Sequence, residues 1–319
     1  MERITIYKRE LRKAAIGLIF LTVSLPSAFS SNRYSLAKIG LPEDSVEISF
    51  ESDSTTKKTR TLFFGLTYGS NSSFLGRYQT EILPYYSADI SYKTKTGLFL
   101  SFLAYDINNS LTFFDEVDVM AGWNIDLSKR VDASVFYTRY FFTESTELIK
   151  ASVANTASVS MGLDWSFLYS KITGHYIFGG SHDFFLVIDN SRYVEFPQIF
   201  RKDDYLALEP KIIIITGTQT FVNTHYINQG TPLIRPGNGP SRGNPGSGGS
   251  STTPSTTETS QTTFNILSYE FSLPVTYNRG KFSFEVTGRY SIPVNLLEGD
   301  TSVPQFFFTG GVVYFISSK

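Results

Sequence analysis

Thr309-Gly310-Gly311-Val312-Val313-Tyr314-Phe315-Ile316, the last apolar run of the chain, decides how the rest is read. Val312, Tyr314 and Ile316 fall on one face of an extended strand, with a small Gly-Gly pair just upstream. A period of two is the mark of a strand, in which successive side chains point to opposite faces. A strand needs neighbours on both edges, so the upstream chain is read for the partners of this one.

Eleven further runs alternate in the same way, starting at Arg60. Leu62, Phe64, Leu66 and Tyr68 share a face opposite Thr61, Phe63, Gly65 and Thr67. Tyr85–Lys93, Leu98–Tyr105, Val117–Asp126, Val131–Phe142, Ser158–Phe167 and Ile172–Phe178 follow. Phe184–Asp189, Tyr205–Thr218, Leu267–Tyr277 and Phe282–Ile292 lead to the closing run. The polar faces are rich in Ser, Thr and Gly, whereas the apolar faces repeatedly end in Tyr, Phe or Trp. This predicts an all-β fold, an antiparallel transmembrane barrel of about 12 strands within a range of 8–14, its apolar band edged by aromatics. The links alternate too. Short ones follow even-numbered strands, and longer Ser/Asn/Thr-rich ones follow most odd-numbered strands, as turns at one barrel end and loops at the other would require. Two links break the rule: 179–182 is short and 190–204 is long. A soluble secreted β-sandwich is the alternative, since its strands also alternate.

Residues 1–30 read as a cleavable signal peptide: Arg3, Lys8, Arg9, Arg12 and Lys13, then the apolar run Ala14–Leu25, then Ala28-Phe29-Ser30. That run is short for a membrane-spanning helix, and no other stretch approaches the length such a helix needs. Residues 1–30 carry five of the 28 bases and two of the 29 acids, which leaves 23 bases against 27 acids. This mildly acidic remainder gives nucleic-acid binding no support. With no cysteine, neither a disulfide frame nor a thiolate metal site is available, and no cofactor or metal is expected. Residues 31–59 are polar, with one short strand at Val46–Phe50, and read as a periplasmic lead-in or a plug. Residues 229–263, rich in Pro, Gly, Ser and Thr, read as a disordered external loop.

Thr309, Gly311, Tyr314 and Ile316 occupy the polar, glycine, aromatic and hydrophobic positions of a motif that resembles the C-terminal assembly signal of bacterial outer-membrane barrels, although Ser317-Ser318-Lys319 follow it. The stretches Leu66-Thr-Tyr-Gly-Ser-Asn-Ser-Ser-Phe-Leu-Gly-Arg77, Tyr137–Phe142 and Tyr290–Leu296 resemble uncharacterised, porin-like outer-membrane barrels of Bacteroidetes-type Gram-negative bacteria. The resemblance implies a bacterial outer-membrane location with both termini periplasmic, and contact with membrane lipid, lipopolysaccharide and the barrel assembly machinery. It implies no catalytic residues.

Barrels also host enzymes, so a lipid-modifying or proteolytic activity is the rival function. Three histidines limit it. None of His175, His182 or His225 has Ser two positions on, the spacing that sets both side chains on one strand face. Ser181-His182-Asp183 puts neighbouring side chains on opposite faces of a regular strand. His175 is expected to hydrogen-bond inside the lumen. No residue is assigned a catalytic role. The charges facing the lumen are the stronger signal: Asp89, Asp118, Asp164, Glu209, Lys211, Glu270, Glu285 and Arg289, with Asp126, Asp132, Asp189 and Lys93 on the same phase. Their acidic balance would favour small cations in an open bore; in a narrow one the same groups would form a salt-bridged plug. If Arg279-Gly280 is a two-residue hairpin turn, Glu270 lies directly opposite Arg289 as an internal ion pair. Arg139 falls on the lipid-facing phase, where it meets a lipopolysaccharide phosphate unless a local bulge turns it inward. The expected function is a small channel, or a structural or surface barrel, with an acidic lumen.

Overall fold

The computed structural model describes residues 59–78, 81–107, 114–143, 148, 153–180, 182–220, 263–297 and 300–318, with the backbone of Ser35–Lys38 and Ser49–Ser52. The expected signal peptide and residues 229–262 lie outside these. Within the lead-in, Ser35–Lys38 pairs antiparallel with Ser49–Ser52. The short strand expected at Val46–Phe50 therefore sits slightly later and has a four-residue partner, too brief to show as alternation.

Twelve strands close into one antiparallel barrel. In chain order they are β1 (Arg60–Gly69), β2 (Tyr85–Lys93), β3 (Leu98–Ile107), β4 (Glu116–Asp126), β5 (Val131–Phe142), β6 (Asn155–Asp164) and β7 (Tyr169–Phe178). Then come β8 (Asp183–Ser191, continuing as Val194–Pro197), β9 (Asp204–Leu208, continuing as Lys211–Gly217), β10 (Asn265–Arg279), β11 (Phe282–Pro293) and β12 (Gln305–Ser318). Each pairs with its chain neighbours, and β12 closes the cylinder on β1 from Thr309↔Gly69 to Ser318↔Arg60. Followed once round, the register returns displaced by about 16 residues, which for twelve strands corresponds to a tilt of about 45° and a backbone radius of about 12 Å.

Burial runs opposite to that of a soluble protein. Leu66, Val159 and Met161 are 60%, 59% and 58% exposed on the outside, while Ser91, Ser158, Ser268 and Ser291 are at most 2% exposed inside. Such a surface is stable against hydrocarbon, not water, and closure leaves no free sheet edge. A soluble sandwich is thereby excluded. The protein is a transmembrane barrel of the outer-membrane type. Aromatics edge the apolar band: Trp123, Trp165, Phe282 and Tyr314 towards the short turns, Tyr68, Tyr86, Tyr176 and Tyr290 towards the long loops.

Three details differ from the sequence reading. The link after β8 is not long, because β8 resumes at Val194 and runs to Pro197; the turn is 198–203. Only the short 179–182 link remains irregular among the described connections. The run Tyr205–Thr218 breaks at Glu209-Pro210, where proline has no N–H to give the ladder, and Glu209 N–H donates to Pro274 O instead. The sixth strand ends at Asp164 rather than Phe167. Ser166, at φ +86°, starts a turn in which its N–H donates to the Asp164 carboxylate at 2.7 Å.

Candidate functional site in the barrel lumen

The long-loop end of the lumen is filled by the first loop. Phe74-Leu75-Gly76-Arg77 is a two-residue hairpin, closed by Phe74 N–H to Arg77 O at 2.7 Å and Arg77 N–H to Phe74 O at 3.0 Å. Leu75 and Gly76 have φ of +48° and +76°, the left-handed pair that a type I′ turn needs. Leucine there costs about 1–3 kcal/mol of backbone strain. Burying its side chain, 6% exposed, returns about 1.5–3 kcal/mol, which offsets the strain. Phe74 and Leu75 pack with Tyr140, Val153, Ile177, Phe185, Ile215 and Leu267. The loop leaves β1 and reaches the wall of β7–β10, so it crosses the lumen.

Two arginines hold the hairpin. Arg77 is fully buried. Its guanidinium donates to Leu267 O (2.7 Å), Val294 O (2.8 Å) and Gln219 Oε1 (2.8 and 3.1 Å), and its Nε lies 3.0 Å from Asp300 Oδ2. A bulge makes the first of these contacts available. Pairing of β9 with β10 slips between Ile215 and Thr216, from Ile215↔Ser268 to Thr216↔Ile266. Leu267 is the extra residue, so it turns inward, whereas simple alternation places it on the lipid face with Tyr269. Arg289 Nη2 donates to Ser73 Oγ at 2.6 Å from β11, the next strand round from β10.

Gly76 tolerates no side chain: a Cβ there would lie 2.2 Å from Ser268 Oγ. Gly76→Val is expected to expel the hairpin by clash and by φ, a loss of about 1–3 kcal/mol. Trypsin digestion of the folded barrel reads this directly. The variant should be cut after Arg77 under conditions where the native protein is not, and equal resistance would count against the plug.

Towards the short turns the lumen divides. Phe63, Phe99, Met120, Phe136 and Val313, with Phe315, make an apolar cluster from β1, β3, β4, β5 and β12. Against the remaining wall lies a cavity of about 180 Å³, room for on the order of ten waters. Asp126, Asp132, Asp189, Glu270 and Glu285 line it against Lys171, Lys211 and Arg289. Its hydroxyls interlock: Ser134 with Ser160 at 2.6 Å, and Ser158 with His175 Nδ1 at 2.8 Å.

The charges expected in the lumen fall into separate groups. Glu270 and Arg289 meet at 3.5 Å, and Glu209 and Lys211 at 3.8 Å. The first pair is diagonal, a correction to the register. The turn is Gly280-Lys281, with Gly280 at φ +60° and Arg279↔Phe282 the last pair, so Glu270 faces Ser291 directly. A slip of two keeps both charges inward and within diagonal reach. Glu285 accepts from Thr276 at 3.1 Å and Thr287 at 3.0 Å. Asp89 packs over Gly65, and Asp118 is buried opposite Leu103 and Tyr140; neither lines the cavity. Asp164 caps its turn. Thr309 and Gly311 point inward on β12, Tyr314 and Ile316 outward, with Tyr314 4.9 Å from Phe282 between ring centres.

His182 and Asp183 diverge to opposite sides of the wall. His182 Nδ1 lies 3.1 Å from the Tyr176 hydroxyl on the lipid side, while buried Asp183 accepts from Thr218 and from Thr220 N–H. Ser181 and His225 lie outside the described residues. Arg139 faces outward, because β5 pairs without a bulge on both sides.

Arg77 and its partners are absent from the sequence reading. A signal was present: an apolar pair followed by glycine, directly after the run Ser70-Asn71-Ser72-Ser73.

No family model matches the chain, and no curated protein matches it in sequence. Among solved structures the chain is similar to the KdgM porin (9% identity, 80% of this chain and 98% of that one, TM-score 0.40). It is also similar to the NanC porin (13%, 79% and 98%, 0.42) and to LpxR from Salmonella typhimurium (10%, 80% and 100%, 0.43). At these scores neither substrate nor chemistry is carried over, and the barrel is established by its own strand pairing.

Proposed function

We propose that the protein is an outer-membrane channel, long loops outside and both termini periplasmic, shut at rest by its first loop and favouring cations in its inner half. One observation carries this reading: beneath a seal contributed by a single loop the lumen keeps a cavity whose charged lining is net acidic. A barrel built only as a strut can fill its lumen with wall side chains, as the Phe63–Val313 cluster does on one side. A hollow under a separable plug is more useful to a pore. Five carboxylates against three cations around the cavity raise the local concentration of cations. On the same reading the assembly machinery engages β12 through Thr309, Gly311, Tyr314 and Ile316.

A structural or surface role is the second reading. The continuous apolar packing of Phe74 and Leu75 favours it, because displacing them exposes that surface to water. Planar-bilayer recording of the native protein and of the unplugged Arg77→Met variant separates the two. Under a KCl gradient, the expected result is rare openings for the native chain, frequent ones for the variant, and a cation-selective reversal potential. An electrically silent variant that remains folded would leave the structural role, and anion selectivity would overturn the acidic-lumen argument.

A further inference from the structure

We infer that Arg139 and Asn155 form a site on the lipid-facing wall for the phosphate of an anionic lipid in the outer leaflet. Thr138 and Tyr140 point into the barrel, 2% and 8% exposed, so Arg139 between them points out. Traced round the barrel, the register sets Arg139 at the height of Tyr86, Tyr176 and Tyr290, the aromatic edge of the apolar band. An arginine is tolerated there, near the interface, far better than at the midplane.

The side chain is aimed rather than trailing into solvent. Arg139 Nη1 donates to Asn155 Oδ1 at 2.9 Å, and the Tyr137 hydroxyl donates to the same oxygen at 2.6 Å. Asn155 is 8% exposed, and its Nδ2 donates to Phe178 O at 3.1 Å. That last bond fixes which end of the amide faces Arg139, since only the oxygen can accept two donors. The guanidinium carbon lies 5.4 Å from the centre of the Phe141 ring. Among the described residues Arg139 has no carboxylate partner. The guanidinium is thus a fixed cation with further N–H groups unspent, at the depth of lipid headgroups. Its planar fork matches phosphate oxygens two at a time. The occupant is a phosphorylated lipid, whose chains lie along the exposed Val135, Val159 and Met161 below.

Native mass spectrometry of the refolded barrel from neutral micelles doped with phosphatidic acid tests this. Diacylglycerol serves as the uncharged lipid and inorganic phosphate as the free anion. The native protein should retain one phosphatidic acid that Arg139→Gln binds about tenfold more weakly, with Arg139→Lys between them. Asn155→Ala keeps the charge but frees its aim, and should weaken binding about threefold; it also serves if Arg139→Gln fails to show heat-modifiable barrel mobility. Equal retention by all variants, or equal binding of diacylglycerol, overturns the site. Displacement of the lipid by millimolar inorganic phosphate would mean that a free anion, not a lipid, is the ligand.

Discussion

Arg77→Met should cost the plug about 3–5 kcal/mol, the usual consequence of removing one member of a buried ion pair, and should turn a closed barrel into a conducting one. The magnitude follows from what is left behind. Asp300, buried with Arg77, loses its counter-charge, Val294 O and Gln219 Oε1 lose the guanidinium donors, and Leu267 O keeps only the Val294 N–H of the two donors named for it. Methionine roughly fills the volume, so the loss is electrostatic rather than a cavity. Water is the remedy for stranded polar groups, and water reaches them only if the hairpin lifts. Two measurements check this: chymotrypsin sensitivity at Phe74 and Tyr78, both buried while the hairpin is seated, and open probability in a bilayer. Arg77→Met combined with Asp300→Asn should recover part of the stability, because the stranded charge is gone. An unchanged digestion pattern and unchanged conductance would show that apolar packing alone holds the plug.

Glu270→Ala should lower the thermal unfolding midpoint of the barrel by about 5 °C. Arg289 would keep its bond to Ser73 and its place over Phe307, 4.7 Å from the ring centre, but lose the Glu270 carboxylate at 3.5 Å. Ser291 Oγ, which donates to Glu270 at 2.9 Å, would lose its acceptor as well. The loss is smaller than at Arg77, since the ion pair is longer and Arg289 keeps its contacts with Ser73 and Phe307. A double-mutant cycle with Arg289→Met isolates the pair. A coupling of about 1–3 kcal/mol is expected for groups in one network, and additivity would show that the charges act independently. Because Arg289 also holds Ser73, the double variant should admit current that Glu270→Ala alone does not.

The barrel was legible in the chain because its physics is periodic. Every strand has one side against lipid and one against the lumen, so Val159, Met161 and Leu163 must alternate with Ser158, Ser160 and Gly162, and the pattern survives errors of a few residues at each end. The inward phase of Glu270 and Arg289 was legible for the same reason: a register slip of two leaves the face unchanged. Their diagonal geometry was not, since it depends on Gly280 rather than Arg279 taking the first turn position. Asp164 keeps the lumen phase of Ser158 and Ser160 but stands at the last position of its strand, where its carboxylate caps the following turn, a role that alternation does not reveal.

What closes the lumen was decided by tertiary structure alone. Arg77 sits in a loop whose local sequence is that of any external connection, and its partners come from positions 219, 267, 294 and 300, far along the chain. The bulge that presents the Leu267 carbonyl to it cancels the alternation that identified β10. Alternation and composition were enough to show that the chain must close a cylinder, which face of each strand meets lipid, and that the interior carries charge. Alternation is imposed residue by residue by two different solvents, so one chain suffices to reveal it. Which charges meet, and whether the bore is open, depends on register, bulges and a loop folded back across the barrel. Those are contacts between distant segments, set only when the cylinder closes.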